Sequence, residues 1–191
     1  MPLLPPPKRL FIALMPDRAL QAQLQRHCGT WDWPDDAKLV PFARYHLTLY
    51  FIGEVSLATE QLLRQALREV PMHPLELDLL GPELWPNQVA VLRPAQNNGL
   101  RALHARIAHA VVDAGLEPEL RGYKPHVTLG RNAAGAHAPA RTEPIAWPAR
   151  EFALVWSVTP SAGKPARYEV LEWFGARGEP VTPAGAAAAA S

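Results

Sequence analysis

Apolar positions follow two rhythms along this chain, and the switches between them mark its elements. Leu10, Phe11, Ile12 and Leu14 form a short, nearly unbroken run, which predicts a buried strand over 9–15. Asp17 then stands where an N-cap belongs, Leu20 and Leu24 recur at helical spacing, and Gly29 stands at the C-cap, so a helix is predicted over 17–28. A loop rich in tryptophan and aspartate, 31–36, leads to a strand over 46–52 that Gly53 is expected to break. Leu62, Leu63, Ala66, Leu67 and Val70 predict a second helix over 59–70, and short alternating runs predict strands over 75–80 and 88–92. The longest helix, 97–114, carries Leu100, Leu103, Ile107 and Val111 as its core stripe and ends at Gly115. A strand over 126–130 and two more over 151–158 and 166–174 complete the pattern, the last pair separated by a flexible turn at 159–165.

Strand, helix and strand occur in that order twice, at 9–15, 17–28 and 46–52, and again at 88–92, 97–114 and 126–130. The repetition predicts an α+β, bilobal, duplicated fold: two antiparallel sheets form a central cleft, with helices on the outer faces. One bilobal domain is expected over 9–178, after a proline-rich lead at 1–8 and before a flexible Ala-rich tail at 179–191.

The final strand of each repeat opens on the same tetrapeptide pattern, His46-Leu47-Thr48-Leu49 and His126-Val127-Thr128-Leu129. Side chains alternate across a strand, so His and Thr share one face while the aliphatic residues share the other. One face is packed; the other offers an imidazole beside a hydroxyl. Chance yields such a tetrapeptide only about 0.06 times in a chain of this make-up, so a matched pair is a specific signal. Facing each other, the two strands would supply two acid–base groups and two hydroxyl donors, a set suited to phosphoester chemistry.

Composition narrows the setting. With 191 residues, 48% hydrophobic and 19% charged, the chain reads as globular. A net charge of +1 is too small to declare nucleic-acid binding, yet Arg44, Arg121, Lys124 and Arg131 crowd the motifs, either as a phosphate-attracting field or as a solvated rim. Cys28 is the only cysteine, so no intrachain disulfide is expected. The first fifteen residues do not read as a signal peptide, because prolines precede the one short apolar run. No stretch approaches a membrane span, and a cytoplasmic monomer is expected.

Arg131 is a further phosphate ligand or else a surface ion-pairing residue; alternation puts it on the face opposite His126 unless Gly130 supplies a bulge. Tyr168 either lines the site or is an ordinary half-buried strand tyrosine, and Phe11 either stacks on a base or packs in the core. His27, His73, His104, His109 and His137 show no ligand spacing, no Cys/His/Asp cluster suits zinc, and no phosphate-cradling glycine loop is present. No metal and no cofactor is expected.

These residues resemble the 2H phosphoesterase superfamily, and most closely the bacterial and archaeal RNA 2′,3′-cyclic phosphodiesterases, historically called 2′-5′ RNA ligases. The likeness covers nearly the whole chain: Arg9 to Leu14 are similar to the family's opening strand. Tyr45 to Leu49 with Phe51 to Val55 are similar to its first motif, Lys124 to Arg131 to its second, and Arg167 to Leu171 to its closing strand. The lead and the tail depart from it. The resemblance implies hydrolysis of RNA 2′,3′-cyclic phosphate ends to 2′-phosphate ends, with His46 the proton donor, His126 the proton acceptor, and weak reversible 2′-5′ ligation. From the residues alone the two roles stay interchangeable. Other readings remain open: a 2H diesterase of 2′-5′ oligoadenylate, cyclic nucleotides or ADP-ribose cyclic phosphate, or a non-catalytic module that binds RNA ends.

Overall fold

The computed structural model describes residues 6–160 and 165–175. Pro2 and Pro5 of the lead, the middle of the 159–165 turn and the Ala-rich tail lie outside the described residues.

Strand β1 (Lys8–Leu14) buries five consecutive residues, because Leu10, Ile12 and Leu14 face the main core while Phe11 and Ala13 face a smaller cluster on the other side. Helix α1 (Arg18–Cys28) starts where the Asp17 carboxylate accepts a hydrogen bond from the Leu20 amide at 2.8 Å. Strand β2 (Lys38–Leu39) was not expected; two residues carry no readable period. A 3₁₀ turn, Phe42–Arg44, then delivers the chain to β3 (Leu47–Val55). Gly53 does not break β3. It adopts φ 87° beside a register shift, and pairing with β1 continues to Val55.

Helix α2 (Leu57–Arg68) begins two residues before its apolar period suggests, since the Ser56 hydroxyl caps the Thr59 amide at 3.2 Å. Strand β4 (Leu75–Trp85) outruns its expected end: its second half pairs with β5 (Val89–Pro94) but is largely exposed, so it shows no hydrophobic signal. Helix α3 (Asn98–Asp113) is capped by the Asn97 side chain, which accepts from the Leu100 amide at 2.9 Å. Strand β6 (Val127–Arg131) carries the second motif. Strand β7 (Ile145–Ala149) was missed. It holds Pro148 and two alanines, and an edge place tolerates that composition. Strands β8 (Glu151–Val158) and β9 (Arg167–Gly175) close the chain.

The strands run antiparallel in the order β7-β4-β5-β6-β3-β1-β8-β9, with β2 attached to β6. Two four-strand halves are therefore present, β7-β4-β5-β6 and β3-β1-β8-β9, each ending in a motif strand. They join through one pair, Leu47 with Val127. Those are the residues that follow the two motif histidines, so the join is also the centre of the duplication. One core runs under both halves: Leu47, Leu49, Val127 and Leu129 pack with Leu20, Leu24, Leu63, Leu67, Leu103 and Ile107 from the three helices. With the helices on that side, the motif polar residues are left on the opposite, open side.

Helix α2 is tied to both neighbouring strands by charge. Glu60, 3% exposed, receives Lys8 Nζ at 2.9 Å and an Arg64 nitrogen at 2.7 Å. Arg64 also reaches Glu172 at 3.0 Å, and Arg68 meets the same carboxylate at 2.6 Å.

Candidate active site

Each motif histidine is anchored in the same way. His46 donates through Nδ1 to the Arg44 carbonyl at 2.8 Å, and His126 donates through Nδ1 to the Lys124 carbonyl at 2.7 Å. A carbonyl can only accept, so the neutral rings carry their proton on Nδ1 and leave Nε2 free. In both places the carbonyl lies two residues upstream of its histidine, after the 3₁₀ turn Phe42–Arg44 in the first motif and in irregular chain in the second. The Leu47–Val127 register then sets His46 across from Thr128 and Thr48 across from His126. All four side chains are half-buried. Among the described residues, neither threonine hydroxyl takes a partner from the protein.

Burial drives the His46 pKa down to about 4; the bond to the Arg44 carbonyl opposes this, and the charges of His126, Arg44 and Arg131 add to it. Burial also lowers His126, again against its carbonyl bond, with help from Arg131 and Arg93. Each ring rests on an aromatic wall. Phe11 lies 4.9 Å and Tyr168 5.2 Å from His46 between ring centres, and Trp85 lies 4.5 Å from His126.

Arg131 reaches the cleft because β6 bulges. The pairing with β5 shifts between Ala90–Gly130 and Val91–Thr128, which leaves Leu129 as the extra residue and turns Arg131 back to the face of Thr128. Strand β3 does the same: its pairing shifts between Ile12–Tyr50 and Ala13–Thr48, leaving Leu49 extra and turning Phe51 into the cleft. Phe51 and Arg131 therefore hold equivalent places in the duplication. Gly130 is needed for a second reason, since a Cβ there would lie 2.8 Å from the Trp33 ring.

All seven residues singled out from sequence, His46, Thr48, His126, Thr128, Arg131, Tyr168 and Phe11, line one cavity of about 510 Å³. Phe11 is 4% exposed and packs under His46 and Tyr168. Tyr168 accepts a hydrogen bond from Arg44 at 3.2 Å. A second cavity of about 690 Å³ adjoins the first through Thr48, Phe51, His126 and Arg131. Its wall includes Trp85, Tyr123 and His104, with His104 stacked on Tyr123 at 3.9 Å and facing Tyr50 at 6.1 Å. Sequence reading missed Phe51, Trp85 and Tyr123, and treated His104 as an ordinary helix residue. Only the repeat could have flagged one of them, since Phe51 follows His46 at the interval by which Arg131 follows His126. His27 by contrast is buried and accepts from the Trp31 indole at 3.2 Å. Among the described residues, no three His, Cys, Asp or Glu side chains gather where a metal could sit, and no helix is long and apolar enough to cross a membrane.

Comparison with known proteins bears on this arrangement. Residues 35–159 match the model of the 2′-5′ RNA ligase superfamily. A Bacillus subtilis relative named RNA 2′,3′-cyclic phosphodiesterase is 31% identical over 122 residues, 58% of this chain and 66% of the relative. That shared stretch spans just under two thirds of the relative's length. An Escherichia coli relative of the same name is 31% identical over 133 residues, 68% of this chain and 75% of the relative. Among solved structures, E. coli LigT complexed with 3′-AMP superposes with a TM-score of 0.75 at 26% identity, covering 90% of this chain and 99% of that one.

Proposed function

This chain belongs to the 2′-5′ RNA ligase superfamily, and on that premise we propose that it hydrolyses RNA 2′,3′-cyclic phosphate ends to 2′-phosphate ends by two-histidine acid–base catalysis. One observation carries the reading: two imidazoles, each with Nδ1 committed to a carbonyl, line a single cavity together with two threonine hydroxyls that have no partner among the described residues. The relatives' shared name supplies the substrate class.

In this reading Nε2 of His126 takes a proton from water as its oxygen attacks phosphorus. The bond from phosphorus to O3′ breaks, and Nε2–H of His46 gives that oxygen its proton. Negative charge grows on the non-bridging oxygens, where Thr48, Thr128 and Arg131 donate hydrogen bonds. The products are a 2′-phosphate and a 3′-hydroxyl. The same groups run backwards would join a hydroxyl to a cyclic phosphate, so weak ligation accompanies hydrolysis. No step calls on a metal.

The test is end-labelled RNA bearing a 2′,3′-cyclic phosphate, incubated in excess EDTA, with the product end identified. A 2′-phosphate is expected, together with a loss of about 10²–10⁴-fold in His46→Ala and in His126→Ala. Full turnover in either variant refutes the mechanism. Tight binding of the RNA without product would make the protein an RNA-end binding module instead.

A further inference from the structure

We propose, resting on the reading that the chain acts on RNA ends, that Arg9, Lys38 and Arg44 form a second phosphate subsite. It takes the phosphodiester on the 5′ side of the terminal nucleotide, so the preferred substrate is an oligonucleotide rather than a cyclic mononucleotide.

Charge matching is the first ground. The cavity that holds His46 and His126 is lined by Arg9, Lys38, Arg44 and Arg131 and, among the described residues, by no carboxylate. A cyclic phosphate carries one negative charge, which Arg131 and one imidazolium already answer. Three cations remain, and among the described residues none of the three belongs to an ion pair. A ligand with a further phosphate supplies what they lack.

Pre-orientation is the second ground. The Arg44 guanidinium lies 4.6 Å above the Tyr168 ring and donates to its hydroxyl at 3.2 Å, while its Nε is buried without a partner. Arg9 lies 5.1 Å over the Phe51 ring. Both guanidinium planes are thus held by an aromatic ring and not by an acid; the Arg9 fork, and the Arg44 donors not given to Tyr168, can meet a phosphate. Lys38 is fixed by backbone pairing, directly opposite Arg131 in the β2–β6 ladder. Like charges facing each other across a ladder are unfavourable without an anion between them. Phe51, 41% exposed and shared by both cavities, offers a stacking face beside these cations.

The experiment compares kcat/KM for 2′,3′-cyclic AMP with that for a diadenylate ending in 2′,3′-cyclic phosphate, in the wild-type protein and in the double variant Arg9→Ala, Lys38→Ala. Both varied side chains are exposed, so the fold is expected to survive. The wild type should favour the dinucleotide about tenfold or more, chiefly through KM. Between 50 and 200 mM salt that preference should shrink by roughly 2.6-fold for one added phosphate contact. The double variant should lose most of the preference, and Lys38→Arg should keep it. A wild type without preference, or a double variant that retains it within about twofold, overturns the subsite. If the wild type turns over neither substrate, the hydrolytic reading fails by itself, and titration with 2′-AMP and with the 2′-phosphorylated diadenylate still decides: tighter binding of the dinucleotide supports the subsite, and equal binding refutes it.

Discussion

An imidazole whose Nδ1–H is committed to the backbone exchanges protons only through Nε2, and His46 and His126 are both committed in this way. Both are held below the ordinary imidazole range, mainly by burial, His46 at about 4. An anion between them stabilises the charged forms and raises both values. The pH profile of kcat/KM, which reports the free protein, is therefore expected to lie on the acid side of the kcat profile, which reports the complex. Superimposable profiles would show that the phosphate does not sit between the rings. Gly130 is the second residue whose role is open to measurement. A methyl group there meets the Trp33 ring at 2.8 Å, so Gly130→Ala should cost about 1–3 kcal/mol in chemical denaturation. It should also weaken turnover by disturbing the bulge that aims Arg131; an unchanged midpoint and rate would show that Trp33 yields freely.

The elements owe their places to caps and pairings that hydrophobic rhythm does not record. Ser56 begins α2 ahead of its apolar stripe, and exposed pairing prolongs β4. Helix α2 is clamped to β1 and β9 through Glu60 and Glu172. Burial raises the Glu60 carboxyl, but the Lys8 and Arg64 bonds outweigh it and leave the pKa below the usual value. Glu172 is lowered likewise by Arg68 and Arg64 against its own burial. These carboxylates therefore contribute stability above the ordinary carboxylate range, and that contribution is lost as pH falls through their folded values. Glu60→Ala is expected to destabilise the fold by roughly 1–3 kcal/mol, because Lys8 and Arg64 keep some access to water. Thermal melts of the variant at neutral and acid pH would check this. The gap to the wild type should narrow in acid; a constant gap would show that the clamp's charge contributes nothing.

For the molecule as a whole, the cleft is a store of unfavourable positive charge. An imidazole in the unfolded chain titrates near 6.5, whereas His46 in the fold titrates at about 4. Above the first value both states are neutral; between the two the unfolded chain binds more protons, so stability declines as pH falls through that window. Inorganic phosphate is expected to bind the folded cleft and not the unfolded chain, and so to raise Tm by mass action, with about 2.7 kcal/mol gained at a hundred times its dissociation constant. The gain should exceed that from sodium chloride of equal ionic strength, and an equal effect of both salts would show that the cleft holds no anion. The strand–helix–strand duplication, the paired His and Thr, and the core stripes of the helices were legible in the chain because periodicity and capping are local properties. Strand β7, hidden by proline and alanine, and the aromatic walls Trp85 and Tyr123 were not, because neighbours from distant segments define them. The amino-acid order by itself determined which side chains can move a proton and which face of each strand they share. Only the tertiary structure decided that His46 stands across from Thr128, that Arg131 turns toward His126, and that, among the described residues, no acid lines the cavity shared by the two histidines. Register and bulges arise between strands rather than within one, so they exist only once segments eighty residues apart have paired.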